Sequence, residues 1–72
     1  MSETPRRALV AKTVLAVLHQ RGISVEVLST LTGLPADDLR ECLDGHVAFD
    51  VDELEAISTA LGVSIAALLG DY

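Results

Sequence analysis

The stretch VEVLSTLTGLPADDLRECLDG, residues 25–45, constrains the fold more than any other part of the chain. Gly33 separates two short runs, and a glycine accepts the left-handed backbone that commonly ends a helix. Pro35 has a φ already suited to a first helical turn, and two aspartates follow it where the helix dipole favours negative charge. Gly45 ends the second run. The stretch therefore predicts two helices joined by a tight turn, a helix-turn-helix unit.

Helix signals on both sides of this unit predict an all-α fold, a compact bundle of five short helices in one domain over residues 1–72. The expected helices are residues 6–20, 25–32, 35–44, 52–61 and a short last helix after residue 64. Ser24, Ser64 and either Asp50 or Asp52 are expected N-caps. Apolar residues at helical spacing are expected to face inward, and in the last four helices they are Leu28, Leu31, Leu39, Cys42, Leu43, Leu54, Ile57, Ala60, Leu61, Ile65, Leu68 and Leu69. Phe49 is expected to anchor the loop 46–51 in the core.

The first expected helix is apolar over a wide arc, through Leu9, Val14, Leu15, Val17 and Leu18. Such a helix is largely buried or faces a second subunit, so a homodimer is one expectation. Lys12 interrupts the apolar run, which is too short to cross a bilayer, so no membrane partner is expected. Residues 1–5 are expected to form a mobile arm.

No group of residues predicts catalysis, a metal site or a cofactor. His19 and His46 are far apart in the sequence, and neither has ligands at metal-binding spacing. Cys42 occupies an inward helical position, where it is expected to act as a small core residue. A single cysteine forms no internal disulfide, which suits the cytoplasm. The chain is therefore not expected to be an enzyme.

Charge is distributed unevenly along the chain, whose net charge is −6. Residues 1–22 hold four cations against Glu3, a net +3, whereas residues 23–72 hold Arg40 against ten acids, a net −9. A nucleic-acid-binding protein usually presents a basic face. The acidic second part therefore favours a protein partner, and the basic first part favours DNA.

Residues 14–69 resemble the Cro-type helix-turn-helix family, the lambda repressor-like phage repressors and small bacterial regulators. The resemblance is carried by RGIS before the motif, GLPADDL across the turn, LDG at its end and DELEAISTALGVSIAALL after it. It implies a DNA-binding transcriptional regulator whose third helix, about residues 35–44, enters the major groove of double-stranded DNA.

The resemblance also implies contact positions on the third helix: Ala36, Asp37, Arg40 and Glu41. Arg40 suits a guanine edge or a phosphate, and Ala36 suits a thymine methyl group. The carboxylates of Asp37 and Glu41 suit a cytosine amino group but would also lie close to phosphates. His46 matches a loop position that touches the DNA backbone in relatives.

A basic cluster formed by Arg6, Arg7 and Lys12 is the remaining candidate DNA contact. It is either an N-terminal arm that reaches the duplex or an ordinary solvated terminus.

Three positions depart from the family pattern. Val25 stands where relatives often have a glutamine that bonds a phosphate. Leu18 and Leu43 stand where many relatives have a buried arginine–glutamate pair, and an apolar pair is often an equally stable replacement. Leu18 and Leu43 are therefore expected to touch in the core.

Two functions follow from these observations. The first is a DNA-binding regulator, a dimer on a two-fold site. The alternative is an acidic protein–protein interaction module that keeps the helix-turn-helix fold without binding DNA and takes a basic protein partner.

Overall fold

The computed structural model describes residues 5–70, which contain five α-helices and no strand. They are α1 (Arg6–Arg21), α2 (Val25–Thr32), α3 (Ala36–Leu43), α4 (Val51–Leu61) and α5 (Ile65–Leu68). The predicted all-α class is confirmed, and each expected helix is present to within a residue or two at its ends. The expected mobile arm lies outside the described residues, apart from Pro5.

Side-chain caps fix the starts of three helices. The Ser24 and Ser64 hydroxyls accept bonds from backbone N–H groups at 3.2 and 3.1 Å, as predicted. Asp50, and not Asp52, caps α4: its carboxylate accepts from the Glu53 N–H at 2.7 Å, and the Glu53 carboxylate accepts from the Asp50 N–H at 2.9 Å. This reciprocal pair is a capping box, which satisfies two otherwise unpaired donors.

The core lies where α1 packs on α3 and α5, α2 packs on α3 and α4, and α4 packs on α5. Its most deeply buried side chains come from all five helices: Val14, Leu28, Leu39, Ile57 and Leu68. All buried residues within 5–70 are apolar or cysteine. Phe49 packs against this cluster from the loop before α4, as expected.

Leu18 and Leu43 both belong to the same buried cluster, on two helices that pack directly together. Neither points to solvent, as their predicted contact requires. With leucines at both positions, folding does not have to desolvate two buried charges.

The prediction that Leu31 faces inward is wrong, because 54% of this residue is exposed. The polar Ser29 and Thr32 occupy the inner side of α2 instead, where their hydroxyls bond to backbone groups of the turn. Leu31 lies to one side of that face and is left outside.

The apolar arc of α1 was expected to be largely buried or to face a second subunit, and within one copy it is only partly buried. Leu9 is 50% exposed and Leu15 is 43% exposed, because α3 and α5 cover one side of the helix only. Ala60 and Ile65, expected to face inward, are half-buried.

Candidate nucleic-acid interface

The turn between α2 and α3 is held by a small set of short hydrogen bonds. Gly33 adopts a φ of +76° and its N–H donates to the Ser29 carbonyl at 2.8 Å. The Ser29 hydroxyl donates to the Leu34 carbonyl at 2.5 Å, and the Thr32 hydroxyl accepts from the Leu34 N–H at 3.2 Å. A residue with a Cβ resists the backbone conformation of Gly33. The turn therefore fixes α3 relative to α2.

The buried face of α3 carries Leu39, Cys42 and Leu43. Its opposite face is exposed and carries Asp37, Asp38, Arg40 and Glu41, while Ala36 at the helix start is half-buried. The candidate contact positions on α3 thus lie together on one accessible face. Three of the four exposed side chains on that face are acidic.

Arg40, the cation on this face, is bound by two carboxylates. Its Nη1 donates to Asp37 Oδ1 at 3.1 Å, and its Nη2 donates to Glu26 Oε2 on the first turn of α2. All three side chains remain accessible, with exposed fractions of 48% for Arg40, 65% for Glu26 and 96% for Asp37. Both terminal nitrogens of the guanidinium therefore already have an anionic partner.

Sequence reasoning identified Arg40 and Asp37 but not Glu26. The Asp37–Arg40 pair has the i, i+3 spacing of helix neighbours, which is visible in the sequence. Glu26 lies on another helix, and only the packing angle of α2 against α3 brings it to Arg40.

His46 lies in the loop after α3, and its Nδ1 is 3.3 Å from Glu41 Oε2. Both side chains are exposed, so a protonated imidazole forms a weak, screened ion pair here. The structure thus brings His46 next to the α3 face, beside a carboxylate of that face.

The basic cluster is part of α1, since Arg6 and Arg7 form the first turn of that helix. Arg7 Nε donates to the Gly45 carbonyl at 2.9 Å, which joins the start of α1 to the loop after α3. Lys12 is exposed further along α1. The two arginines therefore belong to a helix and not to an extended arm.

Cys42 is buried on the inner side of α3, with Sγ 4.0 Å from the Ala48 carbonyl oxygen. Burial raises the pKa of this thiol, and the charges of Glu53, Asp38, Asp50 and Glu41 raise it further. Both effects disfavour the thiolate, which is the reactive form of a cysteine.

Within residues 5–70, acidic, cysteine and histidine side chains form no group that could hold a metal ion. No helix in the same range is long and apolar enough to cross a membrane.

Comparison with known proteins decides the family. Residues 14–72 match the family model of the Cro/C1-type HTH DNA-binding domain. The chain belongs to this family. The Cro/C1-type match covers α2, α3, α4, α5 and the second half of α1.

The fold is also similar to a solved structure of an HTH_3 family transcriptional regulator from Vibrio cholerae. The two share 22% identity with a TM-score of 0.82, and the similarity covers 89% of this chain. It covers 36% of the Vibrio cholerae chain, so this chain spans about a third of that regulator's length. No curated protein sequence matches the chain.

Proposed function

We propose that this Cro/C1-type domain binds double-stranded DNA as part of a transcriptional regulator, with α3 as the recognition helix in the major groove. The observation that carries the proposal is the way in which α3 packs on the rest of the domain. Its inner side is locked into the core through Leu39, Cys42 and Leu43, and its outer side is accessible. In helix-turn-helix proteins a helix presented in this way reads base edges with its N-terminal half.

In this arrangement Ala36, Asp37, Arg40 and Glu41 face the bases. Ala36 suits a thymine methyl group, and Arg40 suits a guanine edge or a phosphate. The carboxylates of Asp37 and Glu41 suit cytosine amino groups but also lie close to phosphates. Phosphate contacts fall to Arg6, Arg7, Lys12 and His46, which lie on α1 and in the loop after α3.

The affinity we expect is modest, because the α3 face is acidic. Two like charges about 4 Å apart repel by about 1 kcal/mol in bulk water. Several carboxylates facing phosphates therefore cost a few kcal/mol, against the roughly 4–10 kcal/mol that separate specific from non-specific binding. Binding should be tightest at low salt, where the few cations contribute most.

A homodimer is the oligomer that we propose on DNA. Leu9 and Leu15 are half exposed on α1, and a second copy would cover such side chains. A two-fold dimer would read half-sites about one helical turn of DNA apart.

The proposal is tested by selecting bound sequences from a random duplex library and measuring affinity by fluorescence anisotropy at low and moderate salt. Asp37→Asn and Glu41→Gln should each strengthen binding several-fold, since each removes a charge that faces phosphates. Glu55→Gln is the matched control, because Glu55 is exposed on α4, which packs on α2 and α5 and not on α3. No bound complex at micromolar protein and low salt, for the native chain and both α3 variants, would refute DNA binding.

A second function is favoured by the two carboxylates that bind Arg40. With that cation neutralised, the α3 face presents net negative charge to any partner. The domain would then be an acidic protein–protein interaction module for a basic protein. Under this function Asp37→Asn and Glu41→Gln weaken capture of the protein partner and do not produce DNA binding.

A further inference from the structure

We infer that Glu26 sets the DNA affinity of this domain by holding the Arg40 guanidinium against α2 and away from phosphates. The inference rests on the proposed DNA-binding function and names a residue that controls it. Glu26 acts here through Arg40, so it is a positioning residue.

The contacts of Arg40 provide the first argument. Glu26 Oε2 engages Nη2 from a different helix, while Asp37 engages Nη1 from the preceding turn of α3. The Asp37 side chain is almost wholly exposed at 96%, so solvent screens that pair strongly. Glu26 is the less exposed of the two carboxylates, at 65%, and it reaches Arg40 from the other helix, so this contact draws the guanidinium toward α2.

Competition for the same group provides the second argument. A guanidinium binds a carboxylate and a phosphate with the same fork of N–H donors. Glu26 lies in the first turn of α2 and is exposed, so its negative charge faces solvent beside Arg40. An incoming phosphate must therefore displace the Glu26 carboxylate to reach Arg40, and it meets the negative charge of Glu26 as it does so.

The distribution of charge along the chain makes this competition important for DNA affinity. Arg40 is the only lysine or arginine in residues 23–72. Whether the α3 face offers DNA any positive charge therefore depends on the partner of this one side chain.

A double-mutant cycle tests the inference. The variants are Glu26→Gln, Arg40→Gln and the double variant. The matched control for the loss of one negative charge is Glu55→Gln on α4, made alone and together with Arg40→Gln. Affinity for one duplex is measured by anisotropy across a salt series, and circular dichroism checks that each variant is folded.

We expect Glu26→Gln to tighten binding about 3- to 10-fold at low salt and to steepen the log–log salt slope by about one, the effect of one added phosphate contact. In the Arg40→Gln background the gain should fall to that of Glu55→Gln.

Equal gains from Glu26→Gln with and without Arg40 would overturn the inference, since Glu26 would then act only by repelling phosphates. Absence of binding in every variant would refute the proposed function and the inference with it.

Discussion

Leu28 and Leu31 lie one turn apart on α2, yet Leu28 is fully buried and Leu31 is 54% exposed. Leu28→Ala should lower the free energy of unfolding by about 2–5 kcal/mol, because it removes packed methyl groups and leaves a cavity. Leu31→Ala should change it by no more than about 0.5 kcal/mol, the usual range for surface positions. Urea denaturation of both variants measures this, and similar losses at the two positions would show that Leu31 is covered.

Cys42 should react slowly with alkylating reagents in the folded protein, because its thiol is buried and burial raises its pKa. The reaction should become fast only when urea unfolds the chain. Rapid labelling at pH 8 without denaturant would contradict the buried placement.

The same thiol predicts a pH dependence of stability. Its pKa is raised in the folded state, so its contribution is fully present below the ordinary pKa of a thiol. The free energy of unfolding should then fall as pH rises through the folded-state pKa, since the unfolded thiol ionises more readily. Cys42→Ala should abolish this part of the stability loss at alkaline pH. If the variant loses as much stability at alkaline pH as the native protein, groups other than Cys42 cause the loss.

At the scale of single helices, the capping box of α4 gives a matched pair of substitutions. Asp50→Ala should destabilise the protein by about 1 kcal/mol, because it removes the acceptor for the Glu53 N–H. Asp52→Ala is the control, since Asp52 lies in the same first turn without capping it. Thermal unfolding compares the two, and equal shifts in Tm would show that helix-dipole charge alone accounts for the effect.

Helix positions were predictable because their signals are local. Ser24, Ser64 and Asp50 cap helices through backbone groups within three residues, and Gly33 ends α2 by its own backbone conformation. Sequence periodicity also located the inner face of α3.

The features that the sequence did not predict depend on packing between helices. Leu31 is exposed because the hydroxyls of Ser29 and Thr32 bond to the turn and take up the inner side of α2. Leu9 and Leu15 are exposed because other helices cover only one side of α1. The Glu26–Arg40 contact depends on the crossing of α2 and α3. None of these is encoded in local spacing.

For the whole molecule, positive and negative charge occupy different helices. α1 contains no acidic residue, whereas α2 to α5 together carry Arg40 as their single lysine or arginine. Arg7, Arg21 and Arg40 also each donate to an acceptor within the protein. The fold therefore presents a helix of the right size for the major groove with little net attraction for DNA. We expect its specificity to come from the shape and contacts of α3, and its affinity to be limited by charge.

NMR shows whether the exposed face of α3 docks on DNA. ¹⁵N-labelled protein is titrated at low salt with a duplex recovered from the library selection, and amide shifts are followed. We expect the largest changes in α3, in the first turn of α2 and in the loop 44–50. Changes confined to α4 and α5, or no changes at saturating duplex, would contradict this expectation.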